Sequence, residues 1–228
     1  MILFYSGTPG SGKSLHTAQV LYWWIKSGKP AIGNFDINLD MIPSKKKKLY
    51  LYKWNDQLTP DFLIDYAKSY AKEHKGIKED SILLVIDECQ LMFNARDWNA
   101  KGRSAWLEFF TLHRHLGYRI ILIAQFDRMI DRQVRALIEY EYIHRKVSNF
   151  GAFGKIISLL SFGQLFVSVK VWYPMKEKVG SEFFRAKRLY YRLYDTYALF
   201  GDDARTAEEG GEGAPAEDVG TSSQANAS

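Results

Sequence analysis

The chain has 228 residues, of which 46% are hydrophobic and 25% charged, proportions that are typical of a soluble globular protein. Its single cysteine, Cys89, excludes an internal disulfide, and its formal net charge is +5 at pH 7. A signal peptide is not expected, because the N-terminus lacks a basic segment, and no uninterrupted apolar run reaches the length of a transmembrane helix.

The first distinctive feature is the octapeptide at residues 7–14, Gly-Thr-Pro-Gly-Ser-Gly-Lys-Ser, which lies between a predicted strand at 1–5 and a predicted helix at 15–26. Strand, glycine-rich turn and helix form the context in which this pattern binds phosphate, because backbone N–H groups and the helix N-terminus face one concavity. We expect Lys13 to reach the β- and γ-phosphates and Ser14 to ligate Mg²⁺. The predicted nucleotide-binding residues are Gly7, Thr8, Pro9, Gly10, Ser11, Gly12, Lys13, Ser14 and Leu15.

The rest of the chain alternates between strand and helix patterns. Strands are predicted at 31–35, 49–52, 82–86 and 119–124, and helices at 60–74, 104–116 and 127–138. From about residue 139 the pattern predicts antiparallel strands at 141–147, 155–160 and 165–172. The alternation predicts an α/β fold with three layers around a mostly parallel sheet, followed by an antiparallel β extension.

Two predicted buried strands end in polar residues. The strand at 82–86 is followed by Asp87 and Glu88, and the strand at 119–124 by Gln125. Ligands gather at the carboxyl ends of parallel strands, so we expect Asp87 to face Mg²⁺, Glu88 to activate the attacking water and Gln125 to contact the γ-phosphate or its water. The pattern favours a P-loop NTPase of the additional-strand, catalytic-glutamate type, with a strand between those that carry Lys13 and Asp87.

Several basic residues are candidates for phosphate or DNA contacts. His113, Arg114 and His115 end a predicted helix, where Arg114 can contact phosphate or simply complement the helix dipole. After Gln125, the spacing lets three arginines share one helix face, either as an arginine finger supplied to a neighbouring subunit, as DNA contacts, or as a solvated surface. These are Arg128, Arg132 and Arg135. The lysine run at 45–48, near Tyr50, Tyr52 and Trp54, suits single-stranded nucleic acid or an exposed loop.

Charge divides the chain unevenly. Residues 201–228 contain seven acids and one base and have no aromatic residue, so we expect a disordered acidic tail. Residues 1–200 are correspondingly basic and are expected to form the NTPase domain, with the β and aromatic extension from about 139. A basic body suggests a polyanionic partner, either nucleic acid or an anionic membrane face.

The order of these motifs resembles the Zot family, the zonular occludens toxin-like morphogenesis proteins of filamentous phages. The resemblance rests on five segments of this sequence, at 7–14, 85–88, 112–115, 123–125 and 130–135, and on the aromatic close at 191–197. It implies an ATPase that uses ATP and Mg²⁺ at the cytoplasmic face of the host inner membrane. That ATPase would power assembly and extrusion of virions containing single-stranded DNA.

The resemblance also implies partners: phage single-stranded DNA or its nucleoprotein complex, coat and other assembly proteins, and further copies of the chain in a ring. Family members usually carry a transmembrane helix after the ATPase domain, where this chain has its acidic tail. Two alternatives stay open for membrane attachment: either this form is shortened, or it attaches through a partner. Three other functions are weighed against the motor: a non-catalytic nucleotide-dependent interaction module, a Zot-like toxin and a small-molecule kinase. The adjacent Asp87 and Glu88 favour water activation over the kinase.

Overall fold

The computed structural model describes residues 1–96, 102–149 and 165–194. The strands are β1 (Ile2–Ser6), β2 (Ala31–Gly33), β3 (Tyr50–Tyr52), β4 (Ile82–Ile86), β5 (Tyr118–Ile123), β6 (Tyr140–Lys146), β7 (Leu165–Trp172) and β8 (Glu177–Arg185). The helices are α1 (Lys13–Lys26), α2 (Pro60–Glu73), α3 (Arg103–Leu112), α4 (Arg132–Ala136) and α5 (Arg188–Leu193). The strand predicted at 155–160, the end of the aromatic close at 195–197 and the acidic tail at 201–228 lie outside the described residues.

The eight strands of the described residues belong to one sheet, in the order β3-β2-β4-β5-β1-β6-β7-β8. The first six are parallel, whereas β7 pairs antiparallel with both β6 and β8. Strand β5 lies between β1, which leads into residues 7–14, and β4, which ends before Asp87. This order confirms the predicted additional strand and the mostly parallel α/β sheet with an antiparallel extension.

The sheet separates two apolar layers, because alternate side chains of each central strand point to opposite faces. On one face, Leu3, Tyr5, Leu83 and Val85 pack with α1 and α5. The opposite face packs against α2, α3 and α4. All five residues of β4 are inaccessible to solvent, which is the burial that a continuous apolar strand in a covered parallel sheet predicts.

The prediction of one continuous helix at 127–138 is wrong in the middle of that range. The chain forms one turn of 3₁₀ helix at Asp127–Met129, is extended at Ile130 and Asp131, and only then enters α4. The backbone is extended at these two residues because Ile130 forms a β-bridge with Asn94 and the Asp131 N–H donates to the Phe93 carbonyl. Asp131 then caps α4 by accepting from the backbone N–H groups of Gln133 and Val134.

The prediction that the strand at 141–147 is antiparallel to its neighbours is also wrong in part. Strand β6 pairs parallel with β1 and antiparallel only with β7. Alternating polarity reports which face of a strand is buried and carries no information on its direction, which explains the error. The sequence pattern also missed β8, an edge strand whose side chains are mostly exposed.

The helix predicted at 104–116 ends earlier, at Leu112. His113 and Arg114 lie in the following turn, which closes at Gly117 in a left-handed conformation with φ of 74°. Among the described helices, none is long and apolar enough to cross a lipid bilayer.

Candidate active site

Residues 7–14, called the phosphate loop from here on, connect β1 to α1 as predicted. The loop begins with a hydrogen bond from the Gly7 N–H to the Gln125 carbonyl, 3.1 Å long, which ties it to the end of β5. Gly7 and Gly12 have φ of 139° and 98°, in a region that side chains disfavour. A Cβ atom at Gly12 would also lie 2.7 Å from the Phe166 ring, so both positions require glycine.

Lys13 is folded back onto the loop. Its ammonium group donates to the Gly7 carbonyl at 2.7 Å and to the Thr8 carbonyl at 3.3 Å. Burial lowers the pKa of Lys13, while the charges of Glu88 and Asp87 oppose that shift. Lys13 and the acidic pair therefore act on one another electrostatically, although 74 positions separate Lys13 from Asp87 in the sequence.

The loop also contains an unsatisfied donor. Among the described residues, the buried Ser11 hydroxyl has no hydrogen-bond partner. A buried hydroxyl without a partner costs free energy, on the order of 1–3 kcal/mol, unless a ligand satisfies it. A glycine-rich loop at a helix N-terminus is suited to bind phosphate, whose oxygen can accept a hydrogen bond from this hydroxyl.

Asp87 and Glu88 follow β4 directly. Burial raises the pKa of Asp87 to about 6, the neighbouring Glu88 charge adds to that rise, and the hydrogen bond from the Glu88 N–H opposes it. Glu88 is exposed and takes a left-handed conformation with φ of 44°, which is uncommon for a residue with a side chain. Its carboxylate accepts a hydrogen bond from the Gln90 amide.

Asn34 is a residue that the sequence reasoning missed. Its side-chain oxygen accepts from the Asp87 N–H at 2.6 Å, and its amide donates to the Asp87 carbonyl at 2.9 Å and to the Asn55 side chain at 2.6 Å. Asn34 therefore fixes the backbone of the acidic pair. A signal was available, because Asn34 directly follows a buried strand, β2, as Asp87 follows β4, and Gln125 comes two residues after β5.

Gln125 lies at the end of β5, between the phosphate loop and the acidic pair in strand order. Its backbone carbonyl accepts from the Gly7 N–H, and Gln125 lines a cavity of about 260 Å³ together with Gly7 and Thr8. The structure thus brings Gln125 to the loop. The predicted contact with the γ-phosphate remains a prediction.

The donor chemistry fits Mg²⁺ bound jointly with nucleotide. Ser14 offers a hydroxyl and Asp87 a carboxylate, and Mg²⁺ is usually held by one or two such oxygens together with substrate phosphates and water. In the part of the chain that the structure describes, no group of three or more His, Cys, Asp or Glu side chains could hold a metal by itself. Ser14 and Asp87 therefore remain the predicted metal ligands.

The four candidate arginines occupy different places. Arg114 pairs with Glu139 at 2.6 Å, and Glu139 accepts from the Ile2 N–H at the start of β1, so this pair lies at the sheet edge opposite the phosphate loop. Arg128 lies on the 3₁₀ turn and is separated from α4 by the extended residues, which corrects the predicted common helix face.

The remaining two arginines lie on α4. Arg132 is exposed and Arg135 is partly buried. Burial acts to raise the pKa of Asp127, but the hydrogen bond from the Tyr173 hydroxyl and the charges of Lys176 and Arg135 together lower it. Of the three candidate arginines that follow β5, Arg128 and Arg132 are therefore the exposed ones.

The lysine run at 45–48 lies in a 3₁₀ helix, Ser44–Leu49. Tyr50 is buried, and its hydroxyl donates to the Phe35 carbonyl, so it is not open to stack on a base. Tyr52 packs edge-on against Trp54, with ring centroids 5.2 Å apart. Of the three aromatic residues near the lysine run, Trp54 is the exposed one.

Comparison with known families identifies one matching model, zonular occludens toxin (Zot), over residues 1–198. The chain is 28% identical to the gene 1 protein of Enterobacteria phage I2-2 over 214 residues, covering 87% of this chain and 57% of that protein. It is 29% identical to the gene 1 protein of Salmonella phage IKe over 169 residues, covering 70% and 45%. The chain spans about half the length of the curated relatives it matches.

Two solved structures share the fold. The N-terminal domain of zonular occludens toxin from Neisseria meningitidis aligns with a TM-score of 0.53 at 18% identity, covering 85% of this chain and 98% of that one. The DNA-packaging ATPase of Sulfolobus turreted icosahedral virus aligns with a TM-score of 0.50 at 16% identity, covering 82% and 98%. At these identities the likeness concerns the fold alone, and the fold is that of P-loop NTPases.

Proposed function

The chain belongs to the Zot family, and on that premise we propose that it is an ATP-hydrolysing motor for the assembly and extrusion of a filamentous phage that carries single-stranded DNA. One observation carries the proposal. The phosphate loop with Lys13 and the Asp87–Glu88 pair lie at one edge of the sheet on either side of β5, close enough for their charges to shift the Lys13 pKa. The family and the phage gene 1 relatives supply the biological setting.

Nucleotide binding is assigned to the phosphate loop. The donors for phosphate oxygens are its backbone N–H groups, the N-terminus of α1 and the Ser11 hydroxyl. When nucleotide binds, the Lys13 ammonium group leaves the loop carbonyls and contacts the β- and γ-phosphates instead. Ser14 and Asp87 would hold Mg²⁺, which would supply positive charge to neutralise the phosphates. Asn34 keeps the Asp87 backbone in place, so the carboxylate is positioned before the ligand arrives.

Hydrolysis is assigned to Glu88. A water-activating carboxylate must be accessible and fixed in direction. Glu88 is exposed, and its strained backbone and the Gln90 hydrogen bond orient it at the end of β4. Gln125, on the strand between Lys13 and Asp87, senses the γ-phosphate or its water and passes that state to the loop through Gly7.

The motor requires several copies of the chain. A ring places the exposed Arg128 and Arg132 of one subunit near the nucleotide of the next, where an arginine stabilises the charge that develops during phosphoryl transfer. The partners are single-stranded DNA or its nucleoprotein complex, together with coat and other assembly proteins. The ring works at the cytoplasmic face of the host inner membrane, to which a partner can attach it.

The decisive test is ATP hydrolysis measured with and without single-stranded DNA over a series of salt concentrations. A motor that engages DNA should show stimulation that falls steeply as salt rises, because counterions compete for the phosphate backbone. The Lys13→Ala variant, which lacks the phosphate-binding ammonium group, serves as the inactive control. Turnover that ignores DNA at low salt would contradict the motor and favour a nucleotide-dependent interaction module.

A further inference from the structure

Two buried histidines meet behind the phosphate loop. His16 lies on α1, two residues after the loop ends, and His144 lies on β6. His16 is 8% exposed and His144 1% exposed, and His16 Nδ1 lies 2.8 Å from His144 Nε2. The ring of His16 stacks between those of Tyr5 and Phe184, with both centroid distances at 4.9 Å.

The hydrogen bonds of this pair define one arrangement of protons. His144 Nδ1 lies 3.2 Å from the Ser6 carbonyl, which can only accept, so His144 donates from Nδ1. Its Nε2 is then the acceptor, and His16 donates to it from Nδ1. Burial lowers the pKa values of His16 and His144 to about 4 and about 3, so both rings are neutral near pH 7, as this chain of bonds requires.

The chain of bonds runs from one end of the phosphate loop to the other. Ser6 is the last residue before the loop, and His16 belongs to the first turns of the helix after it. The loop also rests on His144 itself, because a Cβ atom at Gly7 would lie 2.6 Å from the His144 carbonyl oxygen. His144 therefore contacts the start of the loop through its backbone and both of the loop's flanks through its side chain.

The antiparallel extension supports the pair from outside. Phe166 of β7 lies against Gly12, and its ring stacks on Phe184 of β8 with centroids 5.7 Å apart. Phe184 in turn stacks on His16. The far side of the phosphate loop is thus packed against β6, β7 and β8 along a continuous series of rings.

We propose that His16 and His144 are positioning residues that clasp the two ends of the phosphate loop and hold it in the shape that binds ATP. The inference rests on the proposed nucleotide binding. It assigns the strands after α4 a role beyond completing the sheet, because β6 supplies the central member of the clasp and the antiparallel strands β7 and β8 support it. Neither histidine touches the nucleotide, since both are buried behind the loop.

The test measures the dissociation constant for ATP with Mg²⁺ by direct titration of the full chain. His144→Phe keeps the ring and removes both hydrogen bonds, and we expect the dissociation constant to rise about tenfold, as a loss of about one good hydrogen bond implies. His16→Phe should have the same effect. The double variant should be no worse than either single one, because each removes the same chain of bonds.

His113→Phe is the matched control. His113 is also buried and bonds the N-terminal amino group at 2.7 Å and the Phe110 carbonyl, but it lies at the opposite edge of the sheet. The His113→Phe variant should have a lower melting temperature than wild type and an unchanged affinity for ATP. If His144→Phe lowers only the melting temperature and keeps wild-type affinity, the clasp is refuted, whereas a wild-type chain that fails to bind ATP refutes the proposed function.

A second measurement needs no substitution. Nitrogen-15 NMR of the wild-type protein with labelled histidine reports which ring nitrogen carries the proton. We expect both His16 and His144 as neutral rings protonated at Nδ1. A proton on Nε2 of His144 would overturn the proposed chain of bonds, even if the variants fail to fold.

Discussion

At the scale of single residues, Asp87 is placed where the fold disfavours its charge. Burial at the end of β4 raises its pKa to about 6, although it accepts the Glu88 N–H and lies near Lys13. A divalent cation stabilises such a carboxylate, because its positive charge compensates for the negative charge that burial disfavours. Asn34 keeps the carboxylate there by bonding both backbone groups of Asp87.

The Asp87→Asn substitution should make the metal-free protein more stable at neutral pH. An unfolded Asp titrates near pH 4, so between about pH 4 and 6 the folded state binds more protons, and stability falls as pH rises through that window. We expect a rise in melting temperature of about 3 °C at pH 7.5, equivalent to roughly 1 kcal/mol, and little change at pH 4.5.

The exposed Asp65 is the matched control, and Asp65→Asn should not shift the melting temperature at either pH. The Asp87→Asn variant should also lose the Mg²⁺ dependence of ATP binding. Thermal melts at the two pH values measure the first effect, and titrations of ATP with and without Mg²⁺ measure the second. A variant that melts lower than wild type at pH 7.5 would contradict the assigned cost of the Asp87 charge.

At the scale of elements, the short helix α4 illustrates how contacts distant in sequence override local pattern. The sequence at 127–138 is consistent with one helix, but Ile130 is buried and bridges to Asn94, which straightens the chain before Asp131. Asp131 then combines the cap of α4 with an ion pair to Arg103 at 2.7 Å. The segment after Gln125 is thereby fixed to α3.

Replacing this cap should destabilise the protein measurably. Asp131→Ala removes two accepted backbone hydrogen bonds and the ionic partner of Arg103 in a buried setting, so we expect a loss of about 2–4 kcal/mol in the free energy of unfolding. Urea denaturation measures this free energy. The control is Asp65→Ala, which breaks an exposed pair with Lys68 and should cost less than about 0.5 kcal/mol. Equal losses in the two variants would contradict the assigned role of Asp131.

Features that depend on local sequence could be predicted, whereas features that depend on contacts between distant segments could not. The phosphate loop, the Asp87–Glu88 strand end and the β5 position between them follow from local patterns and the rule that ligands gather at carboxyl strand ends. The direction of β6, the break at Ile130 and the grip of Asn34 on Asp87 depend on pairings between distant segments, 53 positions apart in the last case. The His16–His144 bond joins residues 128 positions apart and has no local signature.

At the scale of the whole molecule, the proposed motor depends on contacts between copies of the chain. The described part has exposed arginines after β5, and Arg114 is engaged with Glu139 at the opposite edge. A site completed by a neighbour's Arg128 or Arg132 predicts that activity is shared between subunits. It also predicts that specific activity rises with protein concentration.

Mixing two inactive variants tests this sharing. Lys13→Ala keeps its arginines, and the double variant Arg128→Ala, Arg132→Ala keeps its phosphate loop, so a mixed ring contains complete sites at their shared interfaces. An equal mixture should recover up to about a quarter of wild-type turnover if subunits assemble at random in a closed ring. A mixture no more active than its parts would contradict an arginine supplied in trans.

We expect this chain to hydrolyse ATP with Glu88 as the water-activating group, and the decisive measurement is phosphate release by wild type and Glu88→Gln at saturating ATP. Glu88→Gln keeps the size of the side chain and the phosphate loop, so ATP binding should be retained while turnover falls at least about a hundredfold. Retained turnover in Glu88→Gln, at equal ATP binding, would show that Glu88 does not activate the attacking water.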